Sequence, residues 1–484
     1  MNLRQERQLP KHAVYTIPVC VDLDGTLVNT NTLHETFLAT LGRPNALSAL
    51  PVWLRAGKAR LKQELARRAN LDPALLPYNE SLLAYLHAQK QAGQRLILVT
   101  AADQSLAEKV SAHLGLFDEV IASDGRRNLR GAEKAKVLVE RFGSRGFVYA
   151  GNDHTDLAVW REAASAILVN VSPAVARTTA ALVPVDLQVE RRQALGRALL
   201  EALRPYQWVK NCLVFVPIIT ANALMDMTTW LHAFVLFLAF CAVASSLYFL
   251  NDLTDLAADR QHPRKKARPF ARGALPITTG LVFMPVLFLG GSGLAIASGA
   301  GWIVLLYALL SLAYSLWLKA LPLVDVFVLA ILYTLRVFAG GEVTGHRVSL
   351  WLLAFSSFFF FSLAIVKRVS ELMLRQNKVQ AIARRGYTQD DLTILQFMGV
   401  SASFVAALVL ALYVQSPEIA GRYVRPALLW FIVPSVLFWE CHIWLATVRG
   451  QMHDDPIIYA ARDWTSRLIG VSLVLILLLA ATPL

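Results

Sequence analysis

Nine long apolar stretches run from residue 208 almost to the last residue, and no other feature constrains the fold as much. They lie at roughly 208–225, 229–250, 278–297, 301–318, 322–341, 350–366, 396–414, 426–446 and 468–482. Each approaches the ~20 residues that an α-helix needs to cross a bilayer. In hydrocarbon every backbone amide must be bonded within its own segment, so the stretches imply an all-α multi-pass membrane bundle of about nine spans. Composition agrees, since 56% of the 484 residues are hydrophobic, too many for one soluble domain.

The loops carry a second pattern. Cations collect in alternate connections: Arg191, Arg192, Arg197, Arg204 and Lys210 before the first stretch, Arg260 to Arg272 after the second and Lys319 after the fourth. Lys367 to Arg385 follow the sixth, and Arg449, Arg462 and Arg467 follow the eighth. The positive-inside rule then puts the N-terminus in the cytoplasm and, for an odd number of spans, the C-terminus outside the inner membrane. These loops also hold most of the +13 net charge. Nucleic acid binding would need the cations on one basic domain, which argues against such a partner. Cys20, Cys212, Cys241 and Cys441 have no paired spacing, so neither a disulfide framework nor a zinc site is expected. The opening "MNLRQERQLPKH" lacks an apolar core and reads as no cleaved secretory signal.

Residues 1–190 read differently, as a soluble α/β domain with a helical cap over about 28–92, joined by a linker at 191–207 to the membrane domain at 208–484. In "YTIPVCVDLDGTLVNT" an apolar run ends in Asp22 and Asp24. A strand ending there projects both carboxylates past the sheet edge, where open α/β sheets bind ligands. Two like charges so close call for a cation or a phosphoryl group between them. "QRLILVTAAD" brings Thr100 to a second strand end, "NLRGAEKAKVL" offers Lys134 with Lys136 as a fallback, and "GFVYAGNDHTDLAVW" ends a third strand in Asn152, Asp153 and Asp156.

This set resembles the haloacid dehalogenase superfamily of phosphohydrolases, with its Rossmann-like fold, over about residues 15–185. The resemblance implies that Asp22 is the nucleophile and that Asp24 protonates the leaving oxygen and then activates water. It also implies that Thr100 and Lys134 hold the phosphoryl oxygens, with Mg²⁺ held by Asp22, Asp24 and the last motif. That motif usually has an acid directly after Gly; Asn152 stands there and Asp153 follows, so either is a candidate ligand, and Asp156 is the safer one. An ATP-driven pump also joins this fold to many spans, but it needs a Lys after the nucleophile and an inserted nucleotide domain, and the chain has neither.

At the end of the second apolar stretch stands "NDLTDLAADRQHPRKKARP". On a helix Asn251 or Asp252, Asp255 and Asp259 share a face. Three carboxylates in register repel one another unless a multivalent cation gathers them, and Mg²⁺ prefers hard oxygen ligands together with substrate phosphates. Arg260, Lys265, Lys266 and Arg268 then supply anion contacts, which completes a diphosphate clamp. Farther on, Lys319, Asp325 and Arg336 lie in or beside an apolar stretch. An ionisable group at mid-bilayer costs roughly 2.5–3.5 kcal/mol on insertion scales, so Asp325 and Arg336 are expected to line one polar cavity.

These motifs resemble the UbiA superfamily of intramembrane prenyltransferases over about residues 200–484, a family with nine spans. The aromatic-prenylating branch carries a second aspartate-rich motif that is missing here. "KNCLVFVP", "YSLWLK", "KRVSEL" and "RGY" instead look like the branch that makes decaprenyl-phosphate phosphoribose. The resemblance implies transfer of a 5-phosphoribosyl group from phosphoribosyl diphosphate to a polyprenyl phosphate in the membrane. Asp252, Asp255 and Asp259 would hold Mg²⁺ with Asn251 in support, while Lys210, Asn211, Arg260, Lys265, Arg268, Lys319, Arg336 and Lys367 would hold the phosphates. Asp325 would position a ribose hydroxyl, and Arg385 and Tyr387 lie in a loop over the site. Prenyl transfer from a polyprenyl diphosphate to an aromatic or other acceptor, beside an independent phosphatase, is the alternative. Asp454, Asp455 and Asp463 read equally as metal ligands or helix caps. The expected product keeps a 5-phosphate, which the N-terminal domain would remove; fusing the two would raise the effective concentration of that product. The sequence leaves the oligomeric state open.

Overall fold

The structure, a computed structural model, describes residues 17–41, 52–53, 55, 57–69, 71–124, 127–190, 194–373, 386–452 and 455–481. Arg385 and Asp454 lie outside them. The chain divides into two compact units, one of residues 1–202 with 249–282, the other of 203–248 with 283–484. The aspartate-rich stretch therefore groups with the N-terminal unit.

The first unit is built on a six-stranded sheet of β1 (Val19–Val21), β2 (Leu96–Asp103), β3 (Glu119–Ser123), β4 (Val148–Gly151), β5 (Ser165–Val169) and β6 (Val185–Val189). Their order is β3-β2-β1-β4-β5-β6, with every pairing parallel. β1, β4 and β5 are buried along their whole length. Such continuous apolar strands suit a parallel sheet covered on both faces. One face carries a core around Val19, Leu98, Leu86 and Val110, and the other a core around Tyr149, Trp160, Leu138 and Ile97. The strand order reverses at β1, which lies between β2 and β4, and ligand sites in doubly wound sheets open at that switch point.

Helices α1 (Thr32–Leu41), α2 (Lys58–Ala69) and α3 (Glu80–Gln91) fill the region between β1 and β2, followed by α4 (Gln104–Leu114), α5 (Ala132–Phe142) and α6 (Pro173–Leu182). α7 (Met227–Thr254) ends just before Asp255, and α8 (Leu256–Gln261) starts after it. The helix expected to carry all the motif acids is thus interrupted at Asp255, whose φ of −96° and ψ of 13° leave the helical region.

The second unit is helical: α9 (Ile277–Ala297), α10 (Gly301–Leu316), α11 (Val324–Thr344), α12 (Leu350–Met373), α13 (Leu392–Gln415), α14 (Ile432–Val448), α15 (Pro456–Arg462) and α16 (Trp464–Ala481), with α9 starting in the first unit. Among the described residues seven segments are long and apolar enough to cross a membrane: Met227–Thr254, Ile277–Ala297, Val324–Thr344, Leu350–Met373, Gln389–Gln415, Pro426–Val448 and Trp464–Ala481. The expected count of nine is not confirmed by these seven. The fourth stretch forms only the 16-residue α10. The first becomes a 3₁₀ run, Pro205–Phe215, followed by the short helix Val216–Thr220. Pro205 and Pro217 each remove a backbone donor there, and Asn211 turns its side chain into the protein, so hydropathy alone overstates the helix. Gly340 in α11 lies against the Val214 backbone so closely that a Cβ would collide with it. Seven apolar helices of this kind make the chain an integral membrane protein.

Candidate active sites

Beyond the C-terminal end of β1, Asp22 is anchored by its N–H donating to Ala150 O of β4 at 3.0 Å. Lys134, in the first turn of α5 and 3% exposed, donates to Asp22 Oδ1 at 2.9 Å and to Tyr149 Oη at 2.8 Å. Tyr149 passes its own proton to Asp156 Oδ1 at 3.0 Å. Lys134, not the exposed Lys136, is therefore the amine at the site. Asp24 Oδ1 accepts the Thr32 N–H at 2.7 Å. Thr100 is fully buried on β2, its hydroxyl oxygen accepting the Ala102 N–H at 3.0 Å.

The last motif divides its roles. Asp156 Oδ2 accepts the N–H groups of Asn152 and Asp153 at 2.9 and 3.1 Å and holds the loop, while its Oδ1 accepts from Tyr149. Asp153 turns outward to His154 at 2.6 Å. Asn152 packs against Gly25, whose φ of +77° and missing Cβ make that approach possible; a methyl group there would collide with the amide. Asn152 is thus the member of this motif that lies against the Asp22–Asp24 turn. Burial pushes Asp22 up to about 7, against the pull of Lys134. Asp24 is also raised by burial, although its bonds from Thr32 oppose this. A carboxyl with a raised pKa suits a general acid.

Sequence reasoning missed two groups here. Tyr149 relays between Lys134 and Asp156, and its one signal was a hydroxyl inside an otherwise apolar strand. Lys62 reaches from α2 to Ala101 O at 2.6 Å and Asn128 Oδ1 at 2.9 Å and lines a small pocket with Asp24, Thr32 and Asp103. Burial lowers its pKa.

In the same unit, Asp252 and Asp259 are 1% and 2% exposed and share one nitrogen of Arg268, at 3.0 and 2.6 Å. Burial raises Asp259 although Arg268 opposes it. Asp255 is half-buried at the helix break, half-buried Asn251 accepts the Asp255 N–H on its carbonyl at 2.9 Å, and Lys265 is exposed. Arg260, expected on donor phosphates, is instead taken by Glu35 at 2.9 and 2.6 Å and by Ala271 O at 2.9 Å.

The second unit holds two further clusters. Lys210 and Lys367 both bind Asp455 Oδ2, at 2.7 and 3.3 Å, and Tyr333 Oη stands 3.4 Å from each carboxylate oxygen. Burial would raise Asp455, but the two ammoniums hold it well below the usual carboxylate range. It also caps α15 by accepting the Ile457 N–H at 3.3 Å. Asp463 likewise caps α16 through Ser466, at 2.7 Å. Buried Arg336 donates to Asn211 Oδ1 at 2.8 Å, Tyr307 Oη at 3.0 Å and Leu332 O, with its guanidinium 4.5 Å from the Tyr307 ring centre. No carboxylate pairs with it among the described residues. Lys319 is half-buried in the 3₁₀ turn Leu318–Ala320.

Asp325 and Arg336, expected to line one polar cavity, are held by different partners. Asp325 pairs with Arg368, both essentially fully buried, and accepts from Tyr387 Oη at 2.6 Å. Arg368 also donates to Tyr314 Oη and Glu371, each at 2.7 Å. Eleven residues of helix separate Asp325 from Arg336 by about 16 Å, so each finds its partners at its own level. Arg368 was not expected at a site, and Asp455 was expected as a metal ligand or a cap rather than as the partner of two lysines.

The donor sets suit Mg²⁺ chemically. Asp22, Asp24 and Asn152 around one turn, and Asp252 and Asp259 around one guanidinium nitrogen, are hard oxygen donors, and Arg268 shows that the last two can share a single cation. Among the described residues no three acidic, His or Cys side chains already converge as a metal group, so a metal would complete its shell with water and substrate oxygens.

Two family models match, the UbiA prenyltransferase family over residues 214–451 and the haloacid dehalogenase-like hydrolases over residues 19–161. An uncharacterised protein of Sinorhizobium fredii, y4nM, is 36% identical over 94% of this chain and 89% of its own length. The nodulation protein NoeC of Azorhizobium caulinodans is 36% identical over 58% of this chain and 92% of its own. A decaprenyl-phosphate phosphoribosyltransferase of Corynebacterium glutamicum is 32% identical over 45% of this chain and 68% of its own. With the parallel sheet, the apolar helices and these matches together, the chain belongs to the UbiA prenyltransferase family as a membrane transferase that carries an N-terminal haloacid dehalogenase-like phosphatase domain.

Proposed function

We propose that the membrane part transfers a 5-phosphoribosyl group from phosphoribosyl diphosphate to a polyprenyl phosphate, and that the phosphatase removes the 5-phosphate from the product. The observation that carries this is the pair of ammoniums, Lys210 and Lys367, on the single carboxylate of Asp455. One anion between two cations leaves positive charge for a phosphate, and Arg336 adds a buried guanidinium whose partners among the described residues are neutral. An anionic lipid phosphate is already a nucleophile, so no general base is required. The relative named decaprenyl-phosphate phosphoribosyltransferase supports the same acceptor class.

Asp252 and Asp259, with Asp255 beside them, are the ligands proposed for Mg²⁺, which when bound neutralises charge on the departing diphosphate. Arg268 stays at the two carboxylates to contact phosphate oxygens. In the phosphatase, Asp22 attacks the 5-phosphate while Lys134 holds it aligned, and Asp24 gives the leaving ribose oxygen its proton and later takes one from water. Asp22, Asp24 and Asn152 are the ligands proposed there. Both reactions take place at the cytoplasmic face of the inner membrane, with the N-terminus in the cytoplasm.

A donor screen tests this. Purified protein with Mg²⁺ and polyprenyl phosphate is offered labelled phosphoribosyl diphosphate, or labelled polyprenyl diphosphate with an aromatic acceptor. The expected result is label in lipid from the first donor, lost in Asp259→Asn. Incorporation from the isoprenoid donor alone would reject the proposal.

A further inference from the structure

Arg260 is the last residue of the aspartate-rich motif, yet its side chain faces the phosphatase. The guanidinium forms two parallel bonds with Glu35, Nη1 to Oε2 at 2.9 Å and Nη2 to Oε1 at 2.6 Å, and its Nε donates to Ala271 O at 2.9 Å. The paired side chains are 8% and 3% exposed. A bidentate, desolvated arginine pair fixes orientation as well as charge.

Glu35 lies in the first turn of α1, and its contacts lead to the catalytic turn. Its Oε1 also accepts the Thr30 hydroxyl at 2.6 Å, and the Thr30 carbonyl in turn accepts the Gly25 N–H at 3.0 Å. Two residues on, the Thr32 N–H donates to Asp24 Oδ1 at 2.7 Å. The short turn from Thr30 to Thr32 therefore grips the Asp24–Gly25 peptide at one end and is gripped by Glu35 at the other. A second contact reaches the same place. Gly273, with φ of +71°, lies so close to the Asn29 carbonyl that a Cβ could not be accommodated. The segment that follows the motif acids thus holds the turn at both Asn29 and Glu35.

We propose that Arg260 is a positioning residue of the phosphatase, acting through Glu35 and the Thr30–Thr32 turn to aim Asp24. The aspartate-rich motif of the transferase and the acid–base group of the hydrolase are then braced by one ion pair, and the phosphatase depends on a residue outside its own domain. The physical basis is orientation: a displacement of about 1 Å in a catalytic group lowers turnover by up to roughly 100-fold. The inference rests on Asp24 being the acid–base group, so Asp24→Asn serves as the reference variant.

The test uses the full-length protein and Mg²⁺-dependent release of phosphate from ribose 5-phosphate, whose alkoxide leaving group needs a proton and which needs no lipid and no transfer step. Arg260→Ala and Glu35→Gln are each expected to lower kcat about tenfold, with KM changed by less than about twofold. The double variant should be no slower than the slower single, since both remove one interaction. Arg260→Lys should recover part of the loss, and Arg260→Gln combined with Glu35→Gln, which leaves no buried charge unpaired, should keep the fold while turnover stays low. Unchanged kcat in Arg260→Ala and Glu35→Gln, or losses that multiply in the double variant, would overturn the proposal. Full activity in Asp24→Asn would instead overturn the acid–base assignment beneath it.

Discussion

Asp22→Asn is expected to abolish phosphate release from a 5-phosphorylated sugar, by roughly 10⁴-fold or more, as loss of a covalent nucleophile does elsewhere. The amide keeps the shape of the carboxyl and its contact with Lys134, now 2.9 Å from Asp22 Oδ1, but it cannot form the aspartyl phosphate. The same residue sets a pH dependence. Burial raises Asp22 to about 7, so below that pH the protonated, non-nucleophilic form dominates. Turnover should therefore fall as pH drops from 8 to 6, and added Mg²⁺ should move this limb to lower pH, because a neighbouring cation favours the ionised carboxylate. Initial rates against pH at two magnesium concentrations check both statements. A limb that does not move would separate Asp22 from the metal.

The second large effect is on stability. Asp325→Ala removes one of the two carboxylates on Arg368, a guanidinium that is 1% exposed inside the helical unit, and leaves it only the partly exposed Glu371 among the described residues. Breaking a buried pair from one side costs about 3–5 kcal/mol. Thermal unfolding of the detergent-solubilised protein should show a clear loss in Asp325→Ala and a substantial recovery when Arg368→Leu is added, since the charge that remains, Glu371, is partly exposed. Were Asp325 instead the group that orients a ribose hydroxyl, the single variant would unfold as the wild type does and lose only affinity for the donor.

These two residues also show what the sequence conveys and what it does not. The phosphatase site was legible because its groups stand at the ends of short apolar strands, and a parallel sheet brings such ends to one edge: Asp22 follows β1 and Asn152 follows β4. Even the choice between Lys134 and Lys136 follows from geometry, as only the former is buried at the start of α5. Asp156 was harder. The sequence offered it as a metal ligand and gave no sign that two N–H groups of its own loop would point at Asp156 Oδ2. In the membrane part, hydropathy located the helices, while their lengths departed from it where Pro217 interrupts the first apolar stretch.

Partnerships across helices were the least legible. Asp325 and Arg368 are 43 residues apart, and Lys210 and Asp455 are 245 apart. Nothing in local spacing selects Arg368 over Arg336 as the partner of Asp325. Asp455 was read as a metal ligand or a cap because Asp-Pro is a common helix start; it is a cap, and it is also the counterion of two lysines. The sequence did signal the carboxylates of the aspartate-rich motif, and Asp252 and Asp259 do converge. It gave no sign that the adjacent arginine would turn to Glu35, a residue in the other half of the chain's apparent organisation.

The central claim is that one chain adds a phosphorylated ribose to a lipid phosphate and then removes the phosphate. It is tested most directly with phosphoribosyl diphosphate labelled separately in the ribose carbons and in the 5-phosphate, incubated with Mg²⁺, polyprenyl phosphate and purified protein. The wild type should move the ribose label into lipid and release the phosphate label as inorganic phosphate, whereas Asp22→Asn should leave both labels in the lipid. Failure of the ribose label to enter lipid, or retention of both labels by the wild type, would contradict the account.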